Sequence, residues 1–152
     1  MNNIISAIQN NTVIRLVIIA VVMDTIFGVM RALKQHKLNS SVGIDGAIRK
    51  IAMLISLVCL AIVDTMLHIN MLGFLPDDAL QYLPDGISSI GCVEFFGMLY
   101  MCYEVVSILK NMALCGLPVK KIWITVRNFL GKYTEELPDT EEQDKQQELI
   151  MK

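Results

Sequence analysis

The sequence predicts an all-α membrane protein with three transmembrane helices and a C-terminal amphipathic interfacial helix. Three observations predict this class. The chain of 152 residues is 54% hydrophobic and only 18% charged, where a soluble domain carries about 25% charge. Its apolar residues fall in three blocks near the ~20 residues that a helix needs to cross a hydrocarbon core. Its basic residues gather in particular connections instead of spreading evenly, so the net charge of −2 says little about partners.

Residues 1–118 form the expected three-span domain. The first 15 residues are polar and are expected to be short, interfacial or frayed. No basic residue precedes Arg15, and no small-x-small site follows the first apolar run, so that run is expected to be retained and not cleaved as a signal peptide. The first span covers about 16–33, LVIIAVVMDTIFGVMRAL. Its midpoint is Asp24, whose insertion costs about 2.5–3.5 kcal/mol, while its large apolar side chains return roughly 3–6 kcal/mol on the same scale. This helix inserts only marginally unless the acid is neutralised or partnered, and it is the helix expected to move or to insert late.

A connection from Lys34 to Lys50 follows, in which Asn39, Ser40, Ser41, Gly43 and Gly46 break the helical pattern and Asp45 is placed to cap the next helix. The second span covers about 51–70. The second connection, Met71 to Gly86, holds Pro76, Pro84, Asp77, Asp78 and Asp85 without a Lys or Arg, and its apolar residues suggest a short helical turn on the membrane surface. The third span covers about 87–109. In residues 119–137, Ile122, Val126, Phe129, Leu130, Tyr133 and Leu137 share one helical face, with Lys121, Thr125, Asn128 and Lys132 opposite. Four basic residues there forbid a fourth span and suit an anionic leaflet, or else a partner protomer. Residues 138–152 are acidic and Gln-rich and are expected to be a disordered, solvated tail.

Basic residues set the orientation. The first connection and its flanks carry Arg31, Lys34, Lys37, Arg49 and Lys50; the segment after the third span carries Lys110, Lys120, Lys121, Arg127 and Lys132. Both sides are expected to be cytoplasmic, with the N-terminus outside and Arg49, Lys50, Lys120, Lys121, Arg127 and Lys132 as membrane anchors. Arg15 weakly opposes this.

Four acids fall within the spans: Asp24, Asp64, Glu94 and Glu104. Such residues usually face a protein interior or water. On ideal helices Asp24 lies near the midplane, Asp64 and Glu94 roughly 5–6 Å towards the outside, and Glu104 roughly 9 Å towards the inside. Arg31 sits near the depth of Glu104 and is a candidate ion-pair partner, unless it snorkels to the headgroups. Asp24, Asp64 and Glu94 form a layer without a cation at that depth. They can be neutral and hydrogen-bonded between packed helices, or ionise when the layer fills with water; the plainer alternative is interhelical hydrogen-bonding glue. Gly28, Gly91 and Gly97 mark faces where helices can approach closely.

The four cysteines and two histidines show no metal-ligand spacing, and the ten methionines suit lipid-facing or adaptable packing. No nucleophile–base set or phosphate loop is present. The expectation is therefore a non-enzymatic protein without a cofactor, metal or nucleic-acid partner.

Several local pieces, in order, resemble the small phage-lysis and toxin-secretion holins. They are Asp24 with Gly28, the connection Asn39-Ser40-Ser41-Val42-Gly43-Ile44-Asp45-Gly46 leading to Arg49-Lys50, Asp64 late in the second span, the run Tyr103 to Asn111, and Gly116-Leu117-Pro118. The resemblance covers about residues 13–120 and is similar to the members that accompany secreted clostridial-type toxins. Many members have an acid where Lys110 stands, so no charge role is carried over to that position. The resemblance implies a protein that accumulates in the bacterial cytoplasmic membrane, forms homo-oligomers and opens lesions that release a cell-wall hydrolase or a toxin. That link to an endolysin or toxin is functional and needs no stable binding. The competing readings are a membrane scaffold or regulatory subunit, and an ion-coupled transporter fragment, which three spans without a repeat disfavour.

Overall fold

A computed structural model describes residues 2–36, 40–82 and 89–133, and every regular element in them is helical. The order is α1 (Asn2–Asn10), α2 (Thr12–Lys34), α3 (Ser40–Leu67), a 3-10 turn (Met71–Phe74), the single-turn α4 (Asp77–Leu80), α5 (Cys92–Leu114) and α6 (Lys120–Leu130). Three helices are long and apolar enough to cross a membrane: Thr12–Lys34, Gly43–Leu67 and Cys92–Leu114.

Within the first 15 residues a short helix precedes the first span. Asn2–Asn10 is helical, and Asn11 turns the chain into α2, its side-chain oxygen accepting from the N–H groups of Val13 and Ile14 at 3.0 and 3.1 Å. Two free donors of the new helix are thereby satisfied. The second span differs most from expectation. It begins at Ser40, so Asp45 lies inside α3 instead of capping it. Gly43 and Gly46 cost a helix only about 1 kcal/mol each, too little to offset continuous hydrogen bonding. α2 and α3 both end at a histidine in the left-handed region, His36 at φ 51° and His68 at φ 49°. α5 runs beyond Lys110 to Leu114. It stops at Gly116, φ 86°, where the N–H of Gly116 reaches Ala113 O and that of Leu117 reaches Met112 O at 3.0 and 3.1 Å. That pair of bonds is the Schellman stop, which needs a glycine at the left-handed position.

α2 and α5 run parallel and pack along their length, while α3 runs antiparallel and touches α5 more than α2. The core is thin. Val17, Val21 and Leu57 form one buried cluster and Ile14, Ala61 and Val93 another. Large apolar side chains such as Ile19, Ile26, Ile51, Ile55 and Leu99 point outwards, the arrangement lipid rewards and water does not. α6 folds back on α5 and buries Trp123, while Ile122, Phe129 and Tyr133 remain exposed. The acidic tail, 138–152, and the last residues of the expected 119–137 helix lie outside the described residues.

Candidate functional site

Polar side chains meet inside the bundle at two levels. On α3, Lys50, Met53, Leu57, Ala61 and Asp64 follow at three- and four-residue spacing and share one face. Met53, Leu57 and Ala61 are buried. The two charged ends of that face lie about 21 Å apart along the helix.

At the first level the Lys50 ammonium donates to Asp24 Oδ2 on α2 at 2.6 Å and to Glu104 Oε2 on α5 at 2.8 Å. Asn111 on α5 donates its amide to Asp24 Oδ1 at 2.8 Å. A Cβ on Gly28 would lie 3.6 Å from that amide, so this position sits in ordinary contact with the site. The Glu104 side chain is only 1% exposed, and its Oε1 is the buried side-chain oxygen without a hydrogen bond among the described residues. Charged groups so placed survive in a membrane only by pairing. Here two carboxylates share one ammonium, and one acceptor is left over.

At the second level three helix ends converge. The Asp64 carboxylate accepts from the N–H groups of Cys92 and Val93, at 3.0 and 2.8 Å, and so caps α5 from α3. Glu94 Oε2 accepts from Gly91 N–H at 3.0 Å, and Glu94 Oε1 accepts from the Asn11 amide at 2.8 Å. Carboxylates suit the positive end of a helix dipole. Gly91 fits between them because a Cβ there would lie 2.6 Å from Glu94 Oε2 and 2.7 Å from Asp64 Oδ2. Gly97 is where α5 meets α2 most tightly, against the Val13 side chain.

The four acids are therefore all used between helices, and the expected layer of Asp24, Asp64 and Glu94 is divided between two levels. Asp24 joins Glu104 around Lys50, whereas Asp64 and Glu94 serve the start of α5. The cation on Glu104 is Lys50, not Arg31, which is half-buried in the last turns of α2. Lys50 was expected as a surface anchor; because α3 starts at Ser40, it lies well inside the helix and points inwards. Arg49 remains at the surface and donates to the Tyr103 hydroxyl. Of the expected C-terminal anchors, Lys120, Lys121 and Lys132 are exposed and Arg127 is half-buried. Asn11 and Asn111 carried no role in the sequence reading. Asn11 had a legible signal, an Asn immediately before an apolar-periodic run; Asn111, in the last turn of α5, had none. Two further ties join the far ends of α2 and α5: Lys34 donates to Cys115 O at 2.6 Å, and the Cys115 thiol lies 3.7 Å from Phe27 O.

No group of three or more potential metal ligands occurs among the described residues. What the geometry defines is a helical multi-pass membrane protein that pairs charged groups of its spans inside the bundle and turns an apolar surface outwards. Residues 4–131 match the model of the bacteriophage holin family, and the chain belongs to that family. It is 43% identical over 138 residues to the holin-like protein TcdE of Clostridioides difficile, covering 90% of this chain and 82% of that protein. No solved structure matches the chain. Holins are multi-pass cytoplasmic-membrane proteins associated with pores or lesions; they are not an enzyme family, and they generally oligomerise in membranes.

Proposed function

We propose that this chain accumulates in the bacterial cytoplasmic membrane as a closed bundle, assembles into homo-oligomers and then opens lesions that pass a cell-wall hydrolase or a toxin. The observation that carries this reading is the buried Asp24–Lys50–Glu104 set. Internal pairing lets the apolar surface lie harmlessly in lipid, and the same three side chains supply a wetted surface once the helices part. Family membership supports the lesion itself. The distribution of basic residues supports an outside N-terminus and a cytoplasmic C-terminus. The exposed Ile122, Phe129 and Tyr133 beside Lys120, Lys121 and Lys132 support α6 resting on anionic lipid.

The test is expression of the chain alone with a cytoplasmic reporter enzyme. Abrupt depolarisation with release of the reporter is expected. Harmless accumulation would instead establish a scaffold whose intramembrane acids only pair helices. Release that is unchanged in Asp24→Leu would remove the buried acids from the mechanism.

A further inference from the structure

We propose that α3 is the movable element: it parts from a persistent α2–α5 pair, withdraws Lys50 and turns Asp24, Glu104 and Asn111 to water. The proposal rests on the lesion-forming reading above and names the part that moves in it.

The asymmetry of the bundle carries this inference. α2 and α5 are tied from end to end: Asn11 to Glu94, Val13 against Gly97, Asp24 to Asn111, Phe27 O to the Cys115 thiol, and Lys34 to Cys115 O. These ties link parallel helices without crossing α3. By contrast, α3 approaches α5 and α2 closely over much less of its length, and its hold on them is mainly polar. Lys50 grips Asp24 and Glu104, Arg49 meets Tyr103, Ser56 shares a hydrogen bond of 2.8 Å with the Tyr100 hydroxyl, and Asp64 holds the start of α5. Between them its buried apolar contribution is Met53, Leu57 and Ala61. Close backbone approach, as at Gly97 against Val13, marks α2–α5 as the lasting pair, whereas links between charged or hydroxyl side chains can be exchanged for water once it reaches them.

Both connections of α3 also begin at a histidine of positive φ, His36 before it and His68 after it. These are the non-glycine residues in that region among the described residues, and each marks a sharp helix end where the chain changes direction. Once α3 leaves, the surface it covered on α2–α5 presents two carboxylates and a carboxamide in line, which is a surface for water and cations, not for lipid.

Two engineered disulfides separate this movement from movement of α2. In a background with Cys59, Cys92, Cys102 and Cys115 replaced by Ala, Val13→Cys with Gly97→Cys joins α2 to α5. The Cβ at Gly97 lies 3.7 Å from Val13 Cβ, within disulfide range. Asp64→Cys with Gly91→Cys joins α3 to α5, the Gly91 Cβ lying 3.2 Å from Asp64 Cγ, where the new sulfur would sit. Gel mobility before and after reductant scores each bond, and failure of either to form overturns the proposal. The expected result is that the oxidised α3–α5 bond suppresses depolarisation at least tenfold in rate and reductant restores it. The α2–α5 bond leaves the rate within about twofold of the cysteine-free parent. Any other combination overturns the proposal.

A cysteine-free parent that never depolarises the membrane refutes the lesion reading by itself. Movement of α3 is then read in lipid vesicles from labelling of Leu57→Cys by a water-soluble thiosulfonate, Leu57 being fully buried in the closed bundle. Labelling stopped by the α3–α5 bond alone supports the proposal; labelling stopped by both bonds, by neither or absent throughout overturns it.

Discussion

Replacing Lys50 with Met keeps the length of the side chain and removes the ammonium held between Asp24 and Glu104. Both acceptor oxygens, Asp24 Oδ2 and Glu104 Oε2, lie within 2.8 Å of that ammonium and lose it together. Two like unit charges about 4 Å apart repel by about 4 kcal/mol at an effective dielectric constant of about 20. Removing one partner of a buried pair costs about 3–5 kcal/mol in measured cases, in agreement with that figure. At about 1.4 kcal/mol per factor of ten, the closed bundle loses roughly two to three and a half orders of magnitude against its alternatives. The assays are the interval from induction to membrane depolarisation and thermal unfolding of the purified chain in detergent. A much shortened interval and a lower Tm are expected. Adding Asp24→Asn and Glu104→Gln to Lys50→Met should recover most of the stability, because no charge is then left buried. Parental timing and Tm in Lys50→Met, or a triple variant no better than the single one, would refute the reasoning.

Three further outcomes are expected. Asp64→Ala removes the acceptor for Cys92 and Val93 N–H and should cost about 1–2 kcal/mol, read as faster amide exchange at those two positions. Gly97→Leu places a side chain where Val13 already stands and should destabilise the α2–α5 pair by at least about 1–3 kcal/mol; unfolding of the detergent-solubilised chain measures it, and an unchanged Tm would contradict the close approach. Replacing Lys120, Lys121 and Lys132 with Gln removes about 1 kcal/mol of attraction to anionic lipid per residue. Trp123, the only tryptophan, reports whether α6 stays docked: its fluorescence should be unchanged while salt-sensitive binding of α6 to anionic vesicles falls.

The spans were legible because bilayer thickness fixes the length of an apolar run, and the acids were legible because their insertion cost demands an explanation. The inward course of Lys50 was not, for a reason of phase. A basic residue at the edge of an apolar run reads as an anchor, and only the early start of α3 turns that position into helix interior. Ser40, Gly43 and Gly46 read locally as breakers, whereas a few kcal/mol of local preference yields to a continuous helix. The spacing of Lys50, Met53, Leu57, Ala61 and Asp64 was present in the sequence, but it gains meaning only once the helix is extended through Lys50. The division of the acids into two levels was hidden for a related reason. Depth estimated from ideal, centred helices ignores that α5 begins only at Cys92, where the Asp64 carboxylate defines its first turn. The stop at Gly116 was written in the chain as Gly-Leu-Pro, yet Lys110 drew the boundary earlier because a charged residue reads as the end of a span. Lys110 is instead buried within α5.

The shared ammonium also bears on the order in which charged side chains reach the membrane. A ribosome delivers α2, then α3, then α5. The first two emerge as a hairpin whose Asp24 and Lys50 cancel, so the translocation machinery receives two costly residues as one neutral unit. Glu104 arrives last, together with the Asn111 that completes the surroundings of Asp24. Until then the hairpin lacks both the partner along which α2 packs and the helix start that Asp64 caps. Within the hairpin Asp24 is matched by Lys50, while Asp64 waits for the start of α5 that it caps, and Glu94 and Glu104 are added only with the final span.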